Sequence, residues 1–215
     1  MSAVVDNLDI FWVGIKATLL LALLSGIGAM FFGAILAVMR VSPARGFRLF
    51  STAYVEIVRN TPITIVFFFV AFVLPELGIS LPYFTFGVIA LIIYYTAFFC
   101  EALRSGFNSV PIGQSEAARS IGLTFMGSLQ HVILPQALRH VVPPLINVVI
   151  ALIKSTAVAS AFGVPELLTK MEHIVSVESN AVISVLVATA VFYLIITVPA
   201  GLVANEIERR VSLGK

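Results

Sequence analysis

Apolar positions run along this chain in long unbroken stretches, not in the alternation of a half-buried strand or the heptads of a coiled coil. Five stretches reach the roughly 20 residues that a membrane-crossing helix needs. They are Phe11–Met39, Tyr54–Leu74, Phe84–Leu103, Val141–Ala161 and Ala181–Val203, the second and fourth of which also carry charge. Between the third and fourth lies the one long interruption that is polar yet patterned, EAARSIGLTFMGSLQHVILP over residues 116–135. It reads as two short helices hinged at Gly122. Glycine suits the left-handed residue that closes a helix, and Thr124 suits the cap of the next. Glu116 is expected in the first turns, where a carboxylate is favoured, with Arg119 three residues on as its pairing partner. Ala117 and Ala118 keep this helix small enough to lie close against another surface. Pro135 suits the first turn of a helix that runs on into the fourth span.

Composition fixes the solvent. Hydrophobic residues make up 60% of the 215, charged residues only 11%, and the mean hydropathy is +1.07. Soluble domains carry about 25% charged residues, so a soluble chain is excluded. Orientation follows from the cations, because cytoplasmic loops hold the excess of Lys and Arg. Arg40, Arg45 and Arg48 follow the first span, Arg104, Arg119 and Arg139 flank or occupy the elbow, and Arg209, Arg210 and Lys215 lie in the tail. The connection between spans two and three has no cation, and that between four and five has only Lys170. The expected fold is therefore an all-α integral membrane protein of five transmembrane helices, N-terminus outside and C-terminus inside. One transmembrane domain covers 1–215, with the cytoplasmic elbow region at 104–140. The N-terminus lacks a basic leader and a small-residue cleavage site, so the first span is expected to be retained. Cys100, the single cysteine, forms no intrachain disulfide and reads as a packing residue. The net charge of +2 makes no case for a nucleic-acid partner, since the positive-inside bias already accounts for the cations.

Within the spans, Ser25, Ala29, Gly33 and Ala37 form a stripe of small residues at four-residue spacing, a packing face for a helix of this chain or of another subunit. Lys16 sits near the outer end of span one, placed to snorkel. Glu56 and Arg59 are three apart and share a helix face, and Glu101 and Arg104 repeat that spacing at the inner end of span three. Pro62 frees a backbone carbonyl near Asn60 and Thr61. Two readings stand for this segment, a salt bridge at the membrane boundary or the polar lining of a pathway. Lys154, followed by Ser155 and Thr156, lies roughly 20 Å into span four at about 1.5 Å per residue, with Asn147 on about the same face. An ionisable group at that depth is a pathway or gating candidate, set against a snorkelling or structurally satisfied lysine. The segment after span four, FGVPELLTKMEHIVSVESN, reads as an amphipathic helix on the outer surface, its apolar spacing broken by Glu166, Lys170 and Glu172. His173 there reads as solvated, and His131 and His140, nine apart, are not paired. No phosphate-binding loop, metal motif or nucleophile cluster is present.

At the elbow the chain resembles the permease subunits of ATP-binding-cassette (ABC) importers. The residues that carry the resemblance are Glu116, Ala117, Ala118, Gly122, Val132, Leu134 and Pro135, with Val132 standing where isoleucine is commoner. VRNTPITIVFFF, ILPQALRHVVPPLINVVIALIKSTAVAS and GVPELL are similar to the branch that carries polar amino acids, whose short permeases have five spans with the N-terminus outside. MRVSP followed by STAYVEIVRNTP is similar to actinobacterial glutamate permeases. The resemblance implies a subunit of the bacterial cell membrane that imports an amino acid, glutamate in the first place, without an ATPase motif or cofactor of its own. ATP and Mg would belong to a partner, a cytosolic ABC ATPase dimer. The other implied partners are a second permease, with a heterodimer favoured over a homodimer, an extracytoplasmic amino acid-binding protein, and membrane lipid. Implied ATPase-coupling residues are Glu116, Ala117, Ala118, Arg119, Gly122, Leu134 and Pro135. Arg59, Asn60, Thr61, Lys154, Ser155 and Thr156 are the expected substrate pathway. The alternatives are a structural half whose partner permease holds the substrate site, or an importer of another polar amino acid.

Overall fold

The computed structural model describes residues 2–42 and 44–213, and Lys215 and Pro43 lie outside them. Helices form the whole of the described secondary structure: α1 (Ser2–Asp6), α2 (Leu8–Val41), α3 (Arg45–Asn60), α4 (Ile63–Glu76), α5 (Tyr83–Asn108), α6 (Ile112–Ser120), α7 (Met126–Phe162), α8 (Leu167–Val177) and α9 (Val182–Leu213). Four of these, α2, α5, α7 and α9, are long and apolar enough to cross a membrane, and α3 with α4 makes a fifth if the bent pair is one span.

That bend corrects the expected second span, Tyr54–Leu74. α3 and α4 meet at 104°. Pro62 has no N–H to donate and disfavours the helical region for the residue before it. Thr61 accordingly turns extended (φ −95°, ψ 133°), and Pro62 follows with ψ 136°. Two consecutive extended residues are enough to redirect the chain. The fourth span also differs from expectation. α7 begins at Met126 rather than near Val141, so the second helix of the elbow is continuous with the span. Pro135 does not break it, because the preceding turn, Leu129–Ile133, widens into a π-helical turn that accommodates the missing donor. The last turn, Thr156–Phe162, tightens to a 3₁₀-helix and stops at Gly163, which takes the left-handed conformation (φ 76°).

The main core lies where α2, α4, α5 and α7 meet, around Leu21, Ala29, Phe67, Leu91, Tyr95 and Phe99. The small-residue stripe of α2 faces α5 of the same chain. Ser25 and Ala29 are fully buried, and a Cβ placed on Gly33 would stand 2.8 Å from Phe99 Cβ and 3.0 Å from the Thr96 carbonyl. In lipid, where burial alone gives helices little reason to associate, such close backbone approach supplies the packing contacts. Cys100 is buried in the adjoining cluster with Leu36, Val55, Val58 and Ala97.

α8 is amphipathic and packs on α2 and α9 through Leu167, Met171 and Ile174. Asn7 links to the same end of the bundle by donating to Glu178 at 2.9 Å. The opposite end gathers the C-terminus of α2, the start of α3 and the C-terminus of α5, from which the chain enters the elbow.

Candidate functional site

α6 is nine residues long and starts after Pro111, which caps it with an extended backbone. Its end is a Schellman closure. Gly122 N–H donates to the Arg119 carbonyl at 3.0 Å, and Leu123 N–H donates to the Ala118 carbonyl at 3.1 Å. Gly122 holds φ 88°, a region that costs a glycine nothing and a side-chain-bearing residue considerably more. Thr124 then accepts from Gly127 N–H at 3.1 Å and opens α7.

The elbow residues divide by exposure. Ala118 is buried and the elbow helix packs on the π turn, while Val132 and Leu134 are half-buried. Glu116, Ala117, Arg119, Gly122 and Pro135 are exposed. Glu116 is the fifth residue of α6, within its first two turns, and no ion pair joins it to Arg119 among the described residues. The same elbow leaves the large apolar side chains of Ile112, Ile121 and Met126 75%, 79% and 55% exposed. A short, rigidly ended helix with mixed charge and bare isoleucines has the anatomy of a docking knob.

The two polar triads of the spans are treated differently by the fold. Asn60 donates to the Glu56 carbonyl at 2.7 Å and Thr61 to the Ile57 carbonyl at 2.8 Å, so both hold the last turn of α3. Thr156 is fully buried and donates to the Ile153 carbonyl at 2.7 Å. Ser155 shares a 2.7 Å hydrogen bond with the Tyr95 hydroxyl of α5. Lys154 is exposed, in one stripe of α7 with Asn147 and Ala151. Arg59 is also open, with its side chain 44% exposed and its guanidinium 5.7 Å from the Phe98 ring centre. α3 and α7 thus meet through α5, where the Tyr95 and Phe98 rings lie 5.7 Å apart. Tyr95 and Phe98 did not stand out in the sequence, since an aromatic in an apolar span reads as packing.

The expected Glu56–Arg59 pair does not form, because both side chains find partners on other helices. Arg59 reaches Glu101 at 3.6 Å, and Glu56 lies 3.9 Å from Arg40. Glu101 collects three guanidinium groups, from Arg40, Arg59 and Arg104, the last as the expected pair at 2.8 Å. Its side chain is 18% exposed, and a carboxylate so placed holds the ends of α2, α3 and α5 together.

Glu166 is a further correction. It is fully buried rather than part of the polar face of an outer helix. As the N-cap of α8 it accepts from Thr169 N–H at 2.9 Å, from the Tyr193 hydroxyl at 2.7 Å and from the Thr18 hydroxyl at 3.3 Å. Thr18 in turn accepts from Leu167 N–H at 3.0 Å. One carboxylate thereby ties α8 to both α2 and α9. Burial pushes its carboxyl above the ordinary range, opposed by the hydrogen bonds from Tyr193, Thr169, Leu168 and Thr18. Its spacing from Thr169 is the only local sign of this role.

This arrangement of spans and elbow has relatives. The family described as the binding-protein-dependent transport system inner membrane component matches residues 29–213. The glutamate transport system permease protein GluC of Corynebacterium glutamicum is 41% identical over 97% of this chain and 95% of its own length. The probable glutamine ABC transporter permease protein GlnM of Bacillus subtilis is 37% identical over 98% and 97%. A crystal structure of an amino acid ABC transporter with histidines superposes with a TM-score of 0.90, at 31% identity and 96% coverage of both chains. The chain belongs to this family of inner-membrane transport components. It is the permease component of an ABC amino acid importer of the bacterial plasma membrane, a system in which the ATPase is a separate subunit.

Proposed function

We propose that this chain forms one half of the membrane pathway of a glutamate importer, with its N-terminus outside and the 104–140 region docked on a cytosolic ATPase dimer. The orientation is supported by the gathering of Arg40, Arg59 and Arg104 at the end from which the elbow emerges. Glutamate is supported by the 41% identity, over nearly the full length, to a permease named for glutamate transport. ATP and Mg act on the partner. This chain's part is to convert their closure into a change of access across the spans.

The observation that carries the coupling role is the elbow's exposed knob. Among the described residues no ion pair joins Glu116 or Arg119, Ile112 and Ile121 are exposed beside them in the elbow, and the Gly122 closure fixes their helix relative to α7. Ala117 lets that helix approach the ATPase closely, buried Ala118 seats it against the start of α7, and Leu134 and Pro135 carry the coupling on along α7. A push on α6 is thereby passed to a helix that continues unbroken from the elbow into the membrane. In the pathway, Arg59 and Lys154 present the cations that meet substrate carboxylates. Asn60, Thr61, Ser155 and Thr156 fix the turns that carry them. A second permease, in a heterodimer, covers the open stripe of Asn147, Ala151 and Lys154, and an extracytoplasmic binding protein delivers substrate.

The test is uptake of labelled glutamate into vesicles containing the assembled importer and its binding protein, with the native chain and with Glu116→Lys. ATP-dependent uptake that Glu116→Lys abolishes, with the chain still inserted, is the expected result. Glutamate uptake that needs neither ATP nor an ATPase partner would overturn the coupling role. ATP-dependent uptake of glutamine in place of glutamate would overturn the substrate alone. Intact transport with both Arg59 and Lys154 replaced by alanine would move the substrate site to the partner permease.

A further inference from the structure

The ends of α2, α3 and α5 enclose a cavity of about 440 Å³ lined by Arg40, Arg45, Arg48, Arg104, Leu49 and Thr52. Four of the six lining side chains are guanidinium groups, and none is a carboxylate. Arg40 and Arg104 are partly neutralised by Glu101 behind the wall, and Arg48 donates to the Ser42 carbonyl at 2.8 Å. Arg45 makes no ion pair among the described residues. Among the described residues Glu101 is shared by Arg40, Arg59 and Arg104, and Glu56 lies near Arg40 alone. An arginine that only marks the inner membrane boundary extends into water. Arg40 instead turns inward, its side chain 14% exposed.

An apolar groove of about 350 Å³ lies between the same three helices, lined by Phe32, Met39, Phe50, Tyr54 and Ile93 among others. The two sites adjoin along the sequence on both walls. Met39 and Phe50 face the groove, whereas their neighbours Arg40 and Leu49 face the cavity. α3 also leaves Phe47, Phe50 and Ile57 between 56% and 66% exposed, beside Arg45 and Arg48. Such an amphipathic helix, bent sharply away from α4, suits the plane of a membrane interface. A cluster of guanidiniums matches the oxygens of a phosphodiester. The adjoining groove calls for a hydrocarbon chain on the same molecule, which a free phosphate lacks.

We propose that this chain binds an anionic phospholipid at the junction of α2, α3 and α5, its phosphate in the four-arginine cavity and an acyl chain in the apolar groove. The proposal rests on the orientation given above, which puts this end of the bundle at the cytoplasmic leaflet, where anionic headgroups and basic pockets between helices meet. Neither ATP nor the elbow takes part in the binding.

The experiment is native mass spectrometry of the full chain in mild detergent, titrated with phosphatidylglycerol and, separately, with phosphatidylcholine. Preferential retention of phosphatidylglycerol is expected, weakened roughly 30-fold by the double replacement Arg45→Gln and Arg48→Gln. The double replacement Arg209→Gln and Arg210→Gln, on α9, should leave it unchanged. Thr52→Trp, which fills the cavity without altering charge, should weaken retention as well and serves if the arginine variant fails to fold. Equal retention of the two lipids, or retention unaffected by either cavity variant, would overturn the proposal. So would binding of inorganic phosphate at the cavity with no preference for phosphatidylglycerol, which would assign the site to a free anion. Failure of the orientation is separately visible. Labelling of Arg45→Cys in intact cells by a membrane-impermeant maleimide would place this end outside, whatever the lipid result.

Discussion

Truncating Glu166 to alanine removes the acceptor shared by the Thr169 N–H and the Tyr193 and Thr18 hydroxyls. The Thr169 N–H loses its cap, which costs about 1 kcal/mol in comparable helices. The Tyr193 hydroxyl, 2.7 Å away in the native chain, is left without its acceptor in a buried site, at about 1–3 kcal/mol. The Thr18 contact is longer, at 3.3 Å, and adds least of the three. Relief of the buried carboxyl offsets part of this, and the expected net loss is about 2–4 kcal/mol. Measured as thermal unfolding in mild detergent, read by chromatographic monodispersity, that is a fall on the order of 5–15 °C. Glu166→Gln keeps one acceptor oxygen and should lose about a third as much. The pH dependence has a definite sign. The folded carboxyl holds its proton to higher pH than the unfolded one, so the folded state binds more protons in the window from about 4.5 up to the raised value. Stability of the native chain therefore falls as pH rises through that window, and both variants lose this slope. A Glu166→Ala midpoint within about 2 °C of native, or an unchanged slope in Glu166→Gln, would refute the role given to this carboxylate.

Other expectations rest on backbone geometry. Gly33→Leu forces α2 away from α5, where even a Cβ meets Phe99 at 2.8 Å and Cys100 N at 3.0 Å. A loss of about 1–3 kcal/mol or more is expected, visible in the same unfolding measurement, and a native midpoint would show that the two helices do not pack as described. Gly122→Val places a β-branched residue at φ 88°, a strain of about 1–2 kcal/mol, local to the elbow. Copurification of the ATPase should weaken while the midpoint of the spans stays close to native, whereas full copurification with full transport would show that the Schellman closure does not set the elbow's position.

Much of this protein is legible along the chain because the physics responsible is local. In a bilayer each backbone polar group must be satisfied within its own helix, so long apolar runs had to be helices, and four of the five appear as single long helices. The Gly122 turn, the Thr124 cap and the Glu101–Arg104 pair likewise depend on residues within one turn of one another. The bend at Pro62 was half visible: proline announces a break, but whether α4 continues α3 or crosses it at 104° depends on what Phe67 and its neighbours pack against. Pro135 shows the converse, a proline that follows a π turn without ending the helix.

Partner choice was decided only by the tertiary structure. Glu56 and Arg59 sit at pairing distance on one helix, yet Arg40 and Glu101 from neighbouring helices claim them. A surface pair three residues apart gains only a few tenths of a kcal/mol, which a less exposed carboxylate with several guanidiniums readily exceeds. Along the chain Glu166 reads as an exposed charge in a polar segment, yet it is fully buried because Thr18, 148 residues away, and Tyr193 supply donors that no local pattern announces. The same holds for the cavity of four arginines. The sequence determined that these cations lie at the ends of helices, through the cost of charge in hydrocarbon. That four of them face one another across a single hollow was decided by the meeting of α2, α3 and α5.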